Sequence, residues 1–229
     1  MSNFLINFLN NLTPPAICQL CAGDSQHLAF CPSCQAQLPW LPDQHCPCCA
    51  IPTLDGKLCG QCLKSPPAFD HVTAAFLYCD SLAELIPSAK FGARWSLLPA
   101  LAELLRQKVD DLPRPGCLVA LPLHPRRLQE RGFNQAHEIA APLAEKLHIP
   151  LANHVLQRSR DTEHQARLSE KARHRNMRGA FHATEEARDR HIVLIDDVMT
   201  TGASLDAAAR ALKKTGARRV DAWVLARTP

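Results

Sequence analysis

The hydrophobic pattern changes texture near residue 67. Before it, apolar residues are scattered among cysteines and prolines. Beyond it, short apolar runs alternate with longer helical stretches. Strands are predicted over 72–78, 117–121, 191–195 and 220–226, and helices over 82–91, 97–109, 134–147 and 204–215. A Pro- and Gly-rich loop at 112–116 separates the second helix from the second strand, and Gly216 ends the last helix. Strands alternating with helices predict an α/β domain, a parallel sheet with helices on both faces. At the other end, Phe4, Leu5, Phe8, Leu9 and Leu12 fall on one helical face, which predicts a helix over 1–15. That face either packs on its own domain or makes a peripheral contact with a membrane or a partner. It is too short to span a bilayer, and no later segment is apolar for long enough.

Composition narrows the picture modestly. The chain has 229 residues, enough for one ordinary domain and a small module, and 46% of them are hydrophobic. Its formal charge of +4 is a weak basic bias, so only a local basic patch would argue for nucleic acid. One Tyr and three Trp leave few surfaces for stacking. The first twelve residues carry no Lys or Arg and no small-residue cleavage site, so no secretory signal is read there. Eleven cysteines in a chain without export features point to the reducing cytoplasm and to metal binding rather than disulfides.

The cysteine spacing sharpens this. Cys18, Cys21, Cys31 and Cys34 form two C-x-x-C pairs with nine residues between them, and Cys46, Cys49, Cys59 and Cys62 repeat the pattern 28 residues later. A C-x-x-C turn aims two sulfurs at one point, and two such turns close a tetrahedral zinc site. Two structural Zn2+ ions are therefore expected over 16–66, with metal binding supplying the folding energy of so small a module. Pairing within each repeat is the simplest arrangement; crossed pairing between repeats satisfies the same spacing. Each tetrathiolate adds about −2, which brings the loaded chain close to neutral. Cys48 is read as a spare, and Cys79 and Cys117 as ordinary buried thiols. Pro66-Pro67 marks the module boundary, with the α/β domain over 67–229.

The most informative stretch is the apolar run at 192–195 followed by Asp196, Asp197, Val198, Met199, Thr200, Thr201, Gly202, Ala203 and Ser204. Ligands of α/β sheets bind at the carboxyl ends of strands. A turn leading into a helix N-terminus offers free N–H groups and a positive dipole end, which suits a phosphate. Adjacent carboxylates beside such a site have a use only for something else, such as sugar hydroxyls. The segment closely resembles the phosphoribosyl pyrophosphate (PRPP) motif of type I phosphoribosyltransferases. The resemblance implies that Asp196 and Asp197 bind the ribose hydroxyls and act at the catalytic centre. It likewise implies that the stretch Thr200 to Ser204 binds the 5′-phosphate, with Val198 and Met199 in the same PRPP-binding segment. The stretch Leu121, Pro122, Leu123 and His124 looks like the family's pyrophosphate loop, with Arg126, Arg127 and Arg131 placed to neutralise pyrophosphate and Mg2+ bridging it to the ribose. Residues 67–116 would then form the acceptor-side hood, which contains Lys90 and Arg94 but no pattern that reads a base.

Three further stretches narrow the resemblance. They are Arg126-Arg127-Leu128-Gln129-Glu130-Arg131-Gly132-Phe133-Asn134-Gln135, Thr162-Glu163-His164-Gln165-Ala166-Arg167-Leu168 running on through Arg173, Asn176 and Phe181, and Ser88-Ala89-Lys90-Phe91-Gly92. With the duplicated zinc module they resemble the ComF family over nearly the whole chain. That resemblance implies handling of incoming single-stranded DNA during natural transformation, alongside competence or DNA-processing proteins. The other function weighed is an active phosphoribosyltransferase, moving 5-phosphoribosyl from PRPP to a nitrogen acceptor. Residues 158–178 carry Arg167, Arg173, Arg175 and Arg178 among other cations, and Asp161, Glu163 and Glu170 among them. They read as a solvated helix with charge pairs, or as a loop closing over pyrophosphate. A DNA-backbone track is compatible with either.

Overall fold

The computed structural model describes residues 17–25, 29–91, 97–160 and 177–229. The expected helix over 1–15, and Arg167, Arg173 and Arg175, lie outside the described residues. The chain separates into two compact units, Met1–Leu38 and Pro39–Pro229. The first cysteine repeat belongs to the first unit; the second repeat shares a unit with the sheet.

The two cysteine repeats have the same internal build. Each carries a short helix opened by its third cysteine, α1 (Pro32–Ala36) and α2 (Gly60–Lys64). Each places an alanine in the left-handed region just after the first knuckle, Ala22 at φ 57° and Ala50 at φ 58°. There the amide of Ala22 bonds the Cys18 carbonyl, and that of Ala50 bonds the Cys46 carbonyl. Each is also closed by an antiparallel bridge, Ile17 with Asp24 and His45 with Pro52. The 28-residue offset read from cysteines alone therefore holds for backbone dihedrals, hydrogen bonds and bridges.

The larger unit is built on strands β1 (His71–Leu77), β2 (Cys117–Ala120), β5 (His191–Met199) and β6 (Arg219–Arg227), in the order β1-β6-β5-β2 and all parallel. A second, two-stranded antiparallel sheet pairs β3 (Leu156–Arg158) with β4 (Phe181–Ala183) and was not anticipated, because three-residue strands carry no readable alternation. Parallel strands covered on both faces read as continuous apolar runs. β6 accordingly buries every residue after Arg219.

Helices α3 (Asp80–Phe91), α4 (Leu97–Val109), α5 (Pro125–Arg131), α6 (Gln135–Leu147) and α7 (Ala203–Lys214) complete the unit. α4 buries Leu97, Leu98, Leu101, Leu104 and Leu105, and α6 buries Ile139, Leu143 and Leu147. Each such side chain contributes about 1.5–3 kcal/mol of burial. α4 and α6 pack on each other; α7 packs on β6 and β4. Leu151 extends the sheet beyond β2 by a parallel bridge to Leu118. The β1–α4–β2 and β2–α6–Leu151 connections both step toward that edge, whereas β5–α7–β6 steps back. Right-handed crossovers then place α4 and α6 on one face and α7 on the other.

Candidate functional site: a crevice at the strand ends and two cysteine clusters

That reversal locates a crevice. The chain leaves β2 toward one edge of the sheet and leaves β5 toward the other, so the loops after these neighbouring strands diverge. Such a topological switch point is where open α/β sheets bind ligands. β2 and β5 are in register through Ala120 and Ile195, and the Leu121 amide donates to the Ile195 carbonyl at 2.9 Å. The loop 121–124 therefore starts beside Asp196, at the acidic end of β5, and the turn 200–202 follows further along that strand, so both segments singled out in the sequence lie at the same end of the sheet.

β5 runs further than its apolar residues suggest. Asp196, Val198 and Met199 still pair with Val224, Ala226 and Arg227. The acidic pair thus sits within the strand's last turn of pleat rather than beyond it, and the two side chains face opposite sides. Asp196 is half-buried and Asp197 buried. Asp196 Oδ1 accepts from the Asp197 amide at 2.9 Å, and Asp197 Oδ1 from the Val198 amide at 2.7 Å. Thr200 is exposed and Thr201 half-buried, and Thr201 Oγ1 lies 3.4 Å from the Ala203 amide. Gly202 has φ +76°, and a Cβ there would meet Met199 Cε at 2.6 Å. Ala203 and Ser204 open α7, whose first amides face the crevice end of the sheet.

On the other side, Leu121 is buried, and Pro122, Leu123 and His124 are half-buried. His124 caps α5, its Nδ1 accepting from the Arg126 amide at 3.3 Å, with Pro125 at the first helical position. Gly132 ends α5 at φ 78°. This helix was not anticipated, although its Pro start and Gly stop were both present in the sequence. Arg126 is exposed and pairs with Glu130; Arg131 is half-buried and donates to Gln135 Oε1 at 3.0 Å. Arg127 is half-buried. Two asparagines hold the loop, Asn134 from the stretch quoted in the sequence and Asn153, which sequence reasoning did not single out. Asn134 Nδ2 donates to the Leu121 carbonyl at 3.2 Å, and its Oδ1 caps α6 through the Ala136 amide. Asn153 Oδ1 accepts from the Ala120 amide at 2.9 Å, and its Nδ2 lies 2.9 Å from His137 Nδ1. Arg178, exposed, is the one member of the expected polyanion set among the described residues.

In each cysteine repeat the four sulfurs lie within 4.8 Å of one another, so the ligands pair within repeats. Cys21 and Cys31 Sγ are 3.8 Å apart and Cys49 and Cys59 Sγ 3.7 Å. A Zn–S bond of about 2.3 Å in a tetrahedron requires edges of about 3.8 Å, so both donor sets fit the ion. The amides of Cys31 and Cys59 donate to Cys18 and Cys46 Sγ, the same bond in both repeats. These ions are structural: they close the knuckles and leave no open position. Cys48 is half-buried beside the second cluster, Cys117 is buried, and Cys79 is only half-buried.

The protons on these sulfurs give zinc retention a pH dependence. Burial pushes the Cys18 thiol up, but amides of Cys21, Cys31 and Leu20 outweigh it and bring it down to about 6. The same balance, with amides of Cys59, Cys49 and Cys48, brings Cys46 to about 7. Cys34 is pushed up to about 12 by the hydrogen it shares with Cys31 and by burial, and Cys49 to about 11 mainly by burial. Zinc must displace the protons that Cys34 and Cys49 hold, so acid competes with the metal. Cys18 and Cys46, held down by these amides, take up protons last as the pH falls. Zinc transfer to a chromogenic chelator should speed up at least about tenfold between pH 8 and pH 5.5. A rate independent of pH would contradict these protonation states.

The fold and the crevice define a phosphoribosyltransferase-type domain that follows a pair of zinc ribbons. Family models match in that order: a double zinc ribbon domain over residues 8–63 and a phosphoribosyl transferase domain over 134–229. The chain belongs to the ComF family. It is 34% identical to DNA utilization protein YhgH of Escherichia coli K12 over 226 residues, covering 95% of this chain and 99% of that one. It is 32% identical to Competence protein F of Haemophilus influenzae, covering 92% and 96%. It is 28% identical to Competence protein ComFC of Bacillus subtilis, covering 86% and 84%. Among the described residues no helix is long and apolar enough to cross a membrane.

Proposed function

We propose that this chain binds PRPP with Mg2+ in the crevice between β2 and β5 and handles single-stranded DNA in the cytoplasm, in the uptake or use of DNA. The observation that carries the PRPP reading is the pairing of an acidic strand end with an anion-suited turn at the switch point. In this reading the ribose hydroxyls sit on Asp196 and Asp197. The 5′-phosphate lies on the amides and hydroxyls of residues 200–204. Pyrophosphate lies on the loop 121–124, with Arg126, Arg127 and Arg131 beside it. The oxygen donors there suit Mg2+, which would shield the charge of the pyrophosphate and keep most of its waters. Calorimetric titration of the zinc-loaded protein with PRPP and Mg2+ tests it, and absence of heat at millimolar ligand would refute it.

The DNA reading draws on the names of the relatives, one a DNA utilization protein and two competence proteins. Its physical support is the basic stretch that ends at Arg178. Removing one phosphate-binding cation lowers the salt slope of single-strand binding by about 0.7. The variant R173A/R178A is therefore expected to weaken oligonucleotide binding and flatten the slope by about 1.4 in fluorescence anisotropy. Binding that is absent, or insensitive to salt, would exclude the reading.

A second reading is favoured by the same carboxylate pair beside the phosphate turn: transfer of the phosphoribosyl group. The C1–O bond to pyrophosphate breaks with its electron pair going to oxygen. The nitrogen acceptor forms the new C1–N bond and gives its proton to solvent. Pyrophosphate release that depends on an added acceptor would select this reading over a pocket that only binds.

A further inference from the structure

Arg227 closes β6 with its side chain only 7% exposed. Burying a guanidinium is costly unless its donors are satisfied, and here they meet backbone carbonyls. Nε donates to the Cys49 carbonyl at 2.9 Å. The NH1 nitrogen donates to the carbonyls of Met199, at 3.3 Å, and Thr200, at 2.6 Å, and also to that of Thr228. The Met199 carbonyl additionally accepts from the Thr228 amide at 3.0 Å. One side chain therefore joins two places far apart in sequence: the second cysteine cluster and the turn that follows the acidic pair.

The Cys49 carbonyl is set by the knuckle around it. Cys49 supplies a sulfur to the cluster, the Cys46 amide bonds the Ile51 carbonyl, and Ala50 is held in the left-handed region. A knuckle of this kind keeps its shape through its metal. At the other end, Thr200 begins the turn whose amides lead into α7. A shift of the knuckle is therefore passed by a rigid planar fork to the carbonyls of that turn.

We infer that Arg227 is a positioning residue through which zinc in the second cluster fixes the shape of the turn 199–202, and that loss of this zinc loosens the turn. Resting on the PRPP reading, the inference adds that zinc occupancy tunes affinity for the ligand's 5′-phosphate.

Hydrogen exchange of the full-length, zinc-loaded protein, read by mass spectrometry, tests the link directly. Removing zinc from the wild type should raise exchange in the peptide 198–204 at least about tenfold, while peptides in the middle of β5 and β6 keep their protection. Arg227→Met should retain two zinc ions, exchange this turn as fast as the stripped wild type, and respond no further to zinc removal. Arg227→Lys keeps one donor group and should fall between. A turn that ignores zinc removal in the wild type, or protection lost evenly across the sheet, overturns the inference. So does an Arg227→Met protein whose turn exchanges as the loaded wild type does. If Arg227→Met does not fold, the wild type and Arg227→Lys decide alone. PRPP titration is the second readout, with about a tenfold weaker Kd expected for Arg227→Met. Absence of PRPP binding by the wild type would defeat the ligand reading and leave the exchange result to judge the link.

Discussion

The variant D196N/D197N should bind PRPP at least about a hundredfold more weakly than the wild type while folding normally. A hydrogen bond from a hydroxyl to a charged acceptor contributes about 1.5–3 kcal/mol, so two such acceptors are worth about 3–6 kcal/mol. The substitution removes charge but keeps an oxygen at each position. Asn therefore still accepts from the Asp197 and Val198 amides, as Asp196 Oδ1 and Asp197 Oδ1 do. Asp197 is buried, and making it neutral removes a desolvation cost, so no loss of Tm is expected. The decisive measurement is calorimetry with PRPP and Mg2+ on both proteins, with thermal melts beside it. Equal affinities would mean that the acidic pair serves the strand end and nothing bound there.

Replacing Cys46 with Ser should lower zinc content from two ions per chain to one and reduce Tm by at least about 10 °C. Structural zinc supplies about 10–16 kcal/mol of apparent binding energy to an isolated finger, and a missing thiolate forfeits much of it. In a unit of this size each kcal/mol moves Tm by about 2–4 °C. The loss should not stay local. Just before the second repeat, the Leu41 amide donates to the Ala75 carbonyl and the Leu77 amide to the Pro39 carbonyl, while Trp40 packs on Phe76 with ring centroids 4.6 Å apart. The segment leading into the cysteines thus lies along β1, and its release exposes that strand's edge. Zinc analysis and a thermal melt check both parts. A variant that loses its zinc with Tm unchanged would show that the ribbon hangs from the sheet without supporting it.

Much of this architecture was legible in the chain because its signals are local. Two cysteines on a two-residue spacing declare a knuckle, and the recurrence 28 residues later declares a duplicate. Ile192 to Ile195 followed by two acids, two threonines and a glycine announces a strand, a turn and a helix. What stayed hidden depends on partners. Asp196 and Asp197 look like the end of a strand, yet β6 goes on pairing beyond them through Ala226 and Arg227. Ala22 and Ala50 give no hint of positive φ, because alanine there is held by the knuckle rather than chosen for the turn. The crevice itself rests on Leu151 bridging Leu118, where two backbone hydrogen bonds to residues far from β2 in sequence show which way the chain leaves that strand. Arg227 looks like one more cation at the end of a closing strand. Its role needs Cys49 and Thr200, which only the folded chain brings to it.

The place of β6 in the sheet also sets when the protein can finish folding. β6 lies between β1 and β5, and it is the neighbour through which β1 joins the parallel sheet. The contacts at its start span 150 residues, as where the Val220 amide meets Asp70 Oδ2 at 2.8 Å. During synthesis β1 emerges early with the segment 39–41 along one edge, and its other edge waits until β6 has cleared the ribosome. Non-local parallel pairing of this kind is slow, and an open strand edge invites other chains. A chain cut short before β6 therefore lacks the strand that joins β1 to β5, and keeps only the packing of α4, α6, β2 and β5.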